Sequence, residues 1–511
     1  MNVDVVIIGY GIAGMTAAIT AHDAGAEVVV LEKMPEDRAG GNSRVSGQVW
    51  FNPNDAEAAK VYLRSLSGEY PIPEDVLDVW ARESTQHTAW VAERAREVEG
   101  RVPKDVGDPD GAGVGITSIS FGDELKKMGA WEAPEFEFPE AEGNDCDPGF
   151  NYLGSNEGHS RLWLTLRTCL EDRGIEVLFE ATAVELLRDG SRVAGVEVEG
   201  AGGTRTSITA RAGVVVAAGG FANNQEMARS YLRLPFVTPW GSPGNTGDGI
   251  RLAQKVGADL DHPFNYMAMP GIRMPPFEAG EYVEPAGDRY VYVGADGRRF
   301  TDESVKTRHG KISIRGEYDF FPGVPMWTIF DEDARLAGPL AIPRSFYAVG
   351  WNKQVEGYEW SADNAAEIER GWIAKGETLA ELAAELGIDA AGLEAEVERY
   401  NAACAAGSDP DHGRPAASLT PIERGPFYGY RWAQLLITTL GGIRKDARAR
   451  ALDPDGQAIE GLYVAGDVAS TYSWGLSGGM GLADAMAFGR VAARDVVARV
   501  PEPRLTAGPA D

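Results

Sequence analysis

The chain lacks three features, each of which would have assigned it to a class of protein. Its three cysteines, Cys146, Cys169 and Cys404, stand alone, so there is no CxxC pair, haem-attachment motif or iron–sulfur spacing. No apolar run approaches the roughly 18 residues of a membrane span. Basic residues number 48 against 77 acidic ones, and the net charge of −29 disfavours binding to nucleic acid or to an anionic membrane surface.

These absences limit the partners that we expect. Without a second redox centre in the chain, electrons must pass between any bound cofactor and an external acceptor or donor. The six histidines show no metal-ligand spacing, so we expect no metal site. Neither a signal peptide nor a membrane anchor is apparent, and we expect a cytoplasmic protein whose main partner is a small-molecule substrate.

A strand–helix–strand unit opens the chain. Val3–Ile8 is apolar and rich in β-branched residues, and the next strand ends at Glu32. Between them lie Gly9, Gly11 and Gly14 in the pattern GxGxxG, whose glycines let the backbone approach a pyrophosphate at a helix N-terminus. Glu32 is placed to accept hydrogen bonds from ribose hydroxyls. We predict that a dinucleotide contacts Gly9, Gly11, Ile12, Ala13, Gly14, Glu32 and Lys33; this unit alone leaves FAD and NAD open.

A second polar, glycine-rich loop favours FAD. It follows Glu32 closely and reads Gly-Gly-Asn-Ser-Arg-Val-Ser-Gly over residues 40–47. The amides and hydroxyls of such a loop can reach the pyrophosphate and the flavin edge of an extended FAD. Its predicted contact residues are Gly40, Gly41, Asn42, Ser43, Ser46 and Gly47. No histidine lies in this loop, so we expect FAD to be bound non-covalently.

Later segments supply the rest of the predicted cofactor site. Gly466 and Asp467 end an apolar strand and are placed for the ribityl chain, while residues 478–482 open the last helix, whose positive end favours a reduced flavin anion. Asp248 follows a glycine turn and either caps the next helix or holds a cofactor hydroxyl. The remaining predicted contacts are Ala183, Gly219, Ser477, Gly481 and Leu482.

The order of these elements predicts an α/β protein with a Rossmann-like FAD-binding domain and an inserted α+β cap domain for the substrate. Composition shifts after about residue 264, where prolines and aromatic residues become frequent. We place the first part of the FAD-binding domain at 1–264, the cap at 265–425, the second part of the FAD-binding domain at 426–500 and a tail at 501–511.

Together these motifs resemble the fumarate reductase/succinate dehydrogenase flavoprotein superfamily, and within it the branch that holds the 3-ketosteroid dehydrogenases. The resemblance spans nearly the whole chain. It includes the two glycine loops, Ala-Gly-Gly-Phe at 218–221, Gly-Arg-Arg-Phe-Thr-Asp-Glu at 297–303 and Leu-Gly-Gly-Ile at 440–443. It implies the fold and the cofactor, and it implies oxidation or reduction of a carbon–carbon bond.

The chain departs from the fumarate reductases at two positions that hold a dicarboxylate. The residues before Gly441 include no histidine, and Leu476 stands where those enzymes carry an arginine. The resemblance also implies a proton-transferring residue shortly after Glu303, an arginine in fumarate reductases and a tyrosine in ketosteroid dehydrogenases. Here Arg308 occupies that region, so this position indicates a reductase whereas the last helix indicates a ketone.

The resemblance to ketosteroid dehydrogenases implies a tyrosine hydroxyl and a backbone amide that hold the substrate carbonyl. We match these groups to Tyr472 and Gly479, with Trp474 beside the flavin or in the substrate pocket. A general base is also needed, and Tyr318 of the cap is our candidate. Arg308 either pairs with a cap carboxylate or acts as a substrate clamp or proton donor.

We therefore predict an FAD-dependent enzyme that acts on a CH–CH bond. The preferred reaction is α,β-dehydrogenation of a cyclic ketone, either a 3-ketosteroid or a smaller ring such as a ring keto acid. The alternative is reduction of an activated C=C bond, as in fumarate or urocanate reductases, with Arg308 as proton donor. A third possibility, a non-catalytic Rossmann-like binding protein, is disfavoured by the intact second glycine loop.

Overall fold

The computed structural model describes residues 1–102, 115–121, 123, 136–147, 149–154, 159–304, 309–314, 317–320, 325–344 and 347–500. Two of the predicted catalytic residues are affected by these bounds. Arg308 lies outside the described residues, and Tyr318 is described only by its backbone. The chain divides into two compact units.

The first unit comprises Met1–Arg233, Gly244–Asn265 and Thr439–Asp511. Its main sheet runs in the order Arg450–Leu452, Ala458–Val464, Arg205–Val216, Asn2–Ile8, Val28–Leu31, Glu176–Leu178. All neighbours along this path are parallel except the first pair. The central strands Asn2–Ile8 and Val28–Leu31 are short, almost wholly buried and rich in β-branched residues, as expected where both faces of a parallel sheet are covered.

One strand of this sheet is longer than its sequence pattern indicates. The sequence suggests two strands, at 205–210 and from 213 onward, but Arg205–Val216 is continuous. Its first half pairs antiparallel with Arg192–Glu199, which in turn pairs with Thr182–Asp189. Its second half runs parallel to Asn2–Ile8. The predicted small antiparallel sheet is therefore an extension of the main sheet.

The helices of the first unit cover the main sheet and carry the loops of the cofactor site. Ile12–Asp23 is almost wholly buried because its alanines and Gly14 allow close packing. The helices are Ile12–Asp23, Gly41–Val45, Ala56–Ser67, Glu74–Ser84, His87–Glu97, Arg161–Asp172, Gln225–Met227, Ala228–Leu232, Asp248–Lys255 and Met480–Val497. Two further strand pairs are Ile116–Ile119 with Phe150–Leu153 and Leu260–Asp261 with Gly442–Ile443.

The second unit comprises Leu234–Pro243 and Tyr266–Thr438. One sheet has the order Gly280–Tyr282, Tyr266–Arg273, Ala433–Thr439, Thr238–Pro239, and another has the order Tyr290–Val293, Trp327–Asp331, Phe427–Arg431, Ala374–Gly376. Lys311–Ile314 pairs antiparallel with Glu317–Phe320. The helices are Glu332–Ala337, Trp351–Gln354, Ala365–Glu369, Leu379–Leu386 and Ala390–Ala406.

The second unit extends beyond the 265–425 that the sequence suggests for the cap. Strand Phe427–Arg431 pairs along its whole length with Trp327–Asp331, so it completes a sheet of the second unit. Thr238 and Pro239 pair with Leu435 and Leu436, which adds residues 234–243. These pairings join residues that are far apart in the sequence, and composition alone does not reveal them.

A buried charge network lies directly before residues 305–308. The Arg299 guanidinium donates to both carboxylate oxygens of Glu303, at 2.7 and 2.6 Å, and to Asp409 at 3.0 Å. Arg414 donates to Glu303 at 3.2 Å, and all four side chains are at most 1% exposed. Mutual pairing at this depth fixes the path of the chain at Glu303. None of the described helices is both long and apolar enough to cross a bilayer.

A second buried ion pair in this unit gives a test of its core. The Lys353 ammonium lies 3.0 Å from the Glu281 carboxylate, and the two side chains are 4% and 1% exposed. Burial raises the pKa of Glu281, although Lys353 opposes the shift. The pair therefore offsets a desolvation cost that either partner alone would bear in full.

Replacing Lys353 by Met should cost about 3–5 kcal/mol of unfolding free energy, because Glu281 stays buried without a partner. A carboxyl whose pKa is raised in the folded state loses stability as pH rises above its ordinary value. The deficit of the variant, followed by urea unfolding at pH 5 and pH 8, should therefore be larger at pH 8.

The double variant Glu281→Leu/Lys353→Met should recover most of the loss. Lys375→Met serves as the matched control, because the Lys375–Glu377 pair is 42% and 67% exposed. Its effect should stay below about 1 kcal/mol. Equal losses of unfolding free energy in Lys353→Met and Lys375→Met would show that the buried pair contributes no more than the exposed one.

Candidate functional site

The turn after the first strand is shaped by close backbone contact. A β-carbon on Gly14 would overlap the carbonyl oxygen of Gly9, and one on Gly9, whose φ is +114°, would overlap the carbonyl of Ala217. Only glycine fits at these two positions. Gly11 then leads into the helix Ile12–Asp23, and the first-turn amides of that helix point toward the carboxyl edge of the sheet.

Two distant segments meet this turn. The Ser43 hydroxyl accepts a hydrogen bond from the Ile12 amide at 3.0 Å. Gly466 lies against Ala13, since a β-carbon added to Gly466 would be 3.0 Å from that of Ala13. The structure therefore brings together the predicted pyrophosphate loop, the second glycine loop and the predicted ribityl segment.

Glu32, the predicted ribose acid, directly follows the second strand, which ends at Leu31, and it is buried. Its carboxylate accepts hydrogen bonds from the amides of Tyr10 at 3.3 Å and Met34 at 2.8 Å. Burial raises the pKa of Glu32, while these amides act in the opposite direction. Ala181 donates to the carbonyl of Glu32 at 2.9 Å, which places Ala183 of the adjoining strand near this end of the site.

Lys33 and Asp248 contact each other, which the sequence did not predict. The Lys33 ammonium donates to the Asp248 carboxylate and, at 2.6 Å, to the Thr246 hydroxyl. Gly247 occupies the N-cap of the helix Asp248–Lys255, and no side chain caps it. The predicted capping role of Asp248 is therefore wrong: its carboxylate stands one residue inside the helix and pairs with Lys33.

The second glycine loop forms the short helix Gly41–Val45. Asn42 accepts a hydrogen bond from Asn245 at 2.6 Å, and the side chain of Asn245 lies over Gly219. Gly40 and Gly41 both have positive φ, and no atom lies within 4 Å of a β-carbon added to Gly41. The backbone at Gly41 is thus open to a ligand.

Other members of this loop contact the protein itself. Ser46 follows the helix as its C-cap, donates to the Ser43 carbonyl at 3.1 Å and accepts from the Gln48 amide at 3.2 Å. Gly47 continues the chain between them. These hydrogen bonds stabilise the loop, and they leave its backbone rather than the Ser46 hydroxyl to contact a cofactor.

The last helix supplies the other end of the site. Strand Ala458–Val464 ends in a short turn at Gly466, and Asp467 there is half-buried. Met480–Val497 begins after Gly479, whose φ is +82°. No atom lies within 4 Å of a β-carbon added to Gly481, and the neighbouring Leu482 is half-buried. The first turn of a long helix thus borders open space, where its dipole favours negative charge.

These residues fit FAD. The open backbone at Gly41 and Gly481, the helix N-terminus at Ile12 and the buried Glu32 match the phosphate, flavin and ribose parts of an extended dinucleotide. Bound FAD would supply a hydride acceptor, which the side chains of the protein do not provide. The protein's part is to hold the cofactor, to orient a substrate and to move protons.

Tyr472 does not suit its predicted role. It is fully buried, accepts a hydrogen bond from the Trp80 indole at 3.0 Å and donates its own proton to the Met480 carbonyl. A phenol has one proton to donate, so none is left for a substrate carbonyl. We correct the assignment: Tyr472 stabilises the start of the last helix.

The turn before the last helix offers another set of polar groups. Within the described residues no acceptor is found for the Gly479 amide, whereas the Gly478 amide donates to the Glu137 carboxylate at 2.6 Å. The Tyr62 hydroxyl hydrogen-bonds to the Ser477 side chain. Ser477, predicted to contact the cofactor, is therefore bound to Tyr62.

Aromatic rings surround this turn. Phe51 stacks on Tyr62 with ring centroids 6.2 Å apart, and its amide donates to the Gly479 carbonyl at 3.2 Å. The Phe150 ring lies over Gly478, and Phe121 packs edge-on against Phe150 at 5.8 Å. Sequence analysis missed Tyr62 and Glu137, because the one lies in an ordinary amphipathic helix and the other in an acidic loop.

Trp474 packs against another pair of aromatic rings. It stacks on Tyr70 with centroids 5.0 Å apart and packs against Phe264 at 6.4 Å. Its carbonyl accepts a hydrogen bond from Asn265 at 3.0 Å. The predicted position of Trp474, beside the flavin or in the substrate pocket, stays a prediction.

Comparison with known proteins bears on the family, the fold and the cofactor. A family model described as an FAD binding domain matches residues 4–482. The 3-oxosteroid 1-dehydrogenase of Mycolicibacterium smegmatis is 29% identical over 97% of this chain and 97% of that protein. The 4-oxocyclohexanecarboxylate 2-dehydrogenase of Sinomonas cyclohexanicum is 29% identical over 96% of this chain and 92% of that protein. The structure of the 3-ketosteroid delta1-dehydrogenase from Sterolibacterium denitrificans matches with a TM-score of 0.75 at 22% identity, covering 97% and 99% of the two chains.

The chain belongs to the FAD binding domain family, since the family model covers nearly its whole length. The predicted cofactor is thereby confirmed. The structural match confirms the α/β fold class, and the relatives confirm the predicted resemblance to ketosteroid dehydrogenases. The individual contact residues stay predictions, supported by the geometry described above.

Two glycine variants should separate folding from cofactor binding. Gly14→Ala forces a β-carbon onto the Gly9 carbonyl, so we expect the thermal midpoint of the apoprotein to fall and flavin to be lost with it. The measurement is the melting of apoprotein and holoprotein together with the flavin content of the purified protein. An apoprotein midpoint equal to that of the unmodified chain would show that the contact is not needed.

Gly481→Val should weaken flavin binding without affecting the stability of the apoprotein. Its side chain enters open space, so the apoprotein should melt within a few degrees of the unmodified chain, while flavin affinity falls at least about tenfold. Titration of apoprotein with FAD, followed by quenching of flavin fluorescence, measures this. Unchanged affinity would remove Gly481 from the cofactor site.

Proposed function

We propose that this protein is an FAD-dependent oxidoreductase that dehydrogenates the carbon–carbon bond next to the carbonyl of a cyclic ketone. The observation that carries the proposal is the turn before the last helix. There the Gly479 amide has no acceptor among the described residues. The Tyr62 phenol hydrogen-bonds to the side chain of Ser477, two residues before it, and Phe51 and Phe150 contact Gly479 and Gly478.

These groups fit a neutral carbonyl. A backbone amide and a phenol can both donate to a carbonyl oxygen, and their hydrogen bonds strengthen as negative charge develops on that oxygen. Burial raises the pKa of Tyr62, and the nearby Glu137 charge raises it further, so the phenol keeps its proton. Polarising the carbonyl acidifies the adjacent C–H bond, which is the first requirement for desaturation.

Leu476 supports the same proposal. It is buried at 3% exposure in the segment where the resemblance to fumarate reductases implies an arginine for a substrate carboxylate. A leucine there offers no charge to a dicarboxylate. The similar proteins named as 3-oxosteroid and 4-oxocyclohexanecarboxylate dehydrogenases act on ring ketones, and this agrees with a pocket of amide, phenol and aromatic rings.

Three parts of the proposal rest on the sequence alone. They are the ring size of the substrate, an external electron acceptor and a cytoplasmic location. Arg308 bears on whether the substrate ring carries a carboxylate. If it contacts substrate, a ring keto acid becomes the preferred class, because a guanidinium binds a carboxylate well. An Arg308→Leu variant that turns over neutral and acidic ketones at unchanged rates would assign Arg308 to an ion pair of the protein.

Flavin bleaching should identify the reaction. Under anaerobic conditions, we expect 4-androstene-3,17-dione, 4-oxocyclohexanecarboxylate or cyclohexanone to reduce the bound flavin, as followed by its visible absorbance. The control is the pre-reduced enzyme mixed with fumarate, urocanate and acrylate. Rapid reoxidation by these enoates, with no bleaching by any ketone, would favour the alternative of C=C reduction.

Tyr62→Phe should lower kcat/KM for the ketone about 100-fold, because one donor to the developing oxyanion is lost. Tyr472→Phe is the matched control, because it removes a buried hydroxyl. It should lower the free energy of unfolding by about 1 kcal/mol and change turnover only a few-fold. If the two variants exchanged these effects, Tyr472 rather than Tyr62 would bind the carbonyl.

A further inference from the structure

Glu137 holds a carboxylate at the turn where the proposed reaction takes place. Its oxygen accepts from the Gly478 amide at 2.6 Å, one residue before the Gly479 amide that we assign to the substrate carbonyl. The α-carbons of consecutive residues lie about 3.8 Å apart, so the two amides are close neighbours. A ketone whose oxygen accepts a hydrogen bond from the Gly479 amide therefore has an α-hydrogen within reach of the Glu137 carboxylate, because that hydrogen is only two bonds from the carbonyl carbon.

Two other acidic groups near this turn are less suited to accept a proton. Tyr62 stays neutral, for the reasons given above, and a neutral phenol is a donor rather than a base. Asp484 of the last helix accepts from the Thr471 hydroxyl, lies 3.5 Å from the Lys445 ammonium and is 2% exposed. Its carboxylate is thus held inside the protein. Glu137 is half-buried and lies beside the aromatic side chains that surround this turn.

We propose that Glu137 is the catalytic base that removes the α-proton of the ketone. This inference rests on the proposed function. In the step, the α-C–H bond breaks and its proton passes to a Glu137 carboxylate oxygen. The electron pair of that bond moves into the ring, and the carbonyl oxygen becomes an enolate oxygen held by Gly479 and Tyr62. The step is a proton transfer, so it needs no oxidant and can be followed by itself.

Exchange of the α-hydrogens in deuterium oxide measures this step alone. The holoenzyme is first reduced with dithionite, so that it cannot oxidise the ketone, and is then mixed with the panel ketone that bleaches the unmodified enzyme fastest. Deuterium uptake by the ketone is followed by mass spectrometry. Glu137→Gln keeps an oxygen acceptor for the Gly478 amide and removes the base, so we expect at least about a 100-fold loss of exchange.

The flavin content of the variant and the spectral shift caused by the ketone should stay within about twofold of the unmodified enzyme, which shows that the fold and ketone binding survive. Glu142→Gln, an exposed change five residues further along, is the matched control and should exchange at the normal rate. Glu137→Asp keeps the charge and should recover part of the exchange.

The outcomes separate the two proposals. Exchange by Glu137→Gln within tenfold of the unmodified rate overturns the assignment of the base, while ketone bleaching by the unmodified enzyme keeps the proposed function. Absence of both bleaching and exchange in the unmodified enzyme overturns the two together. Loss of exchange in Glu137→Gln, with ketone binding and the Glu142→Gln control intact, supports Glu137.

Discussion

The contact between the first strand and the first helix is the constraint on which the cofactor site depends. Gly14 packs its α-carbon onto the carbonyl of Gly9, and Gly9 passes equally close to Ala217 of the central strand. With no side chain between them, the helix begins directly at the carboxyl edge of the sheet. Its first amides are then the groups that a pyrophosphate meets.

The other parts of the cofactor site are placed by contacts to that turn. Ser43 binds the Ile12 amide, Gly466 lies against Ala13, and Asn245 joins Gly219 to the second glycine loop. Each contact joins segments that are far apart in the sequence, so the site forms only when the sheet has formed. The hydrogen-bond donors of the cofactor site are mainly backbone amides. This explains why the sequence motif of the site consists mostly of glycines.

The sequence predicted those parts of the site that depend on local backbone geometry. The GxGxxG turn, the acidic end of the second strand and the glycines of the last helix were found because glycine spacing and strand patterns are local properties. The role predicted for Tyr472 and the capping alternative for Asp248 were wrong. The direction of the Tyr472 hydroxyl depends on Trp80, which lies 392 residues away in the chain, and Asp248 pairs with Lys33, 215 residues away.

The same reason explains why Tyr62 and Glu137 were missed, and it bears on how substrate choice arises in this chain. The Tyr62 hydroxyl binds the Ser477 side chain, and the Glu137 carboxylate binds the Gly478 amide, directly before the last helix. The amides are fixed by the glycines that the cofactor site requires, whereas the side chains around them are free to differ. A carboxylate at this turn repels an anionic oxygen and accepts a proton from a neutral ketone. The chemistry at this turn therefore depends on which side chains reach those amides, while the amides themselves follow from the flavin fold.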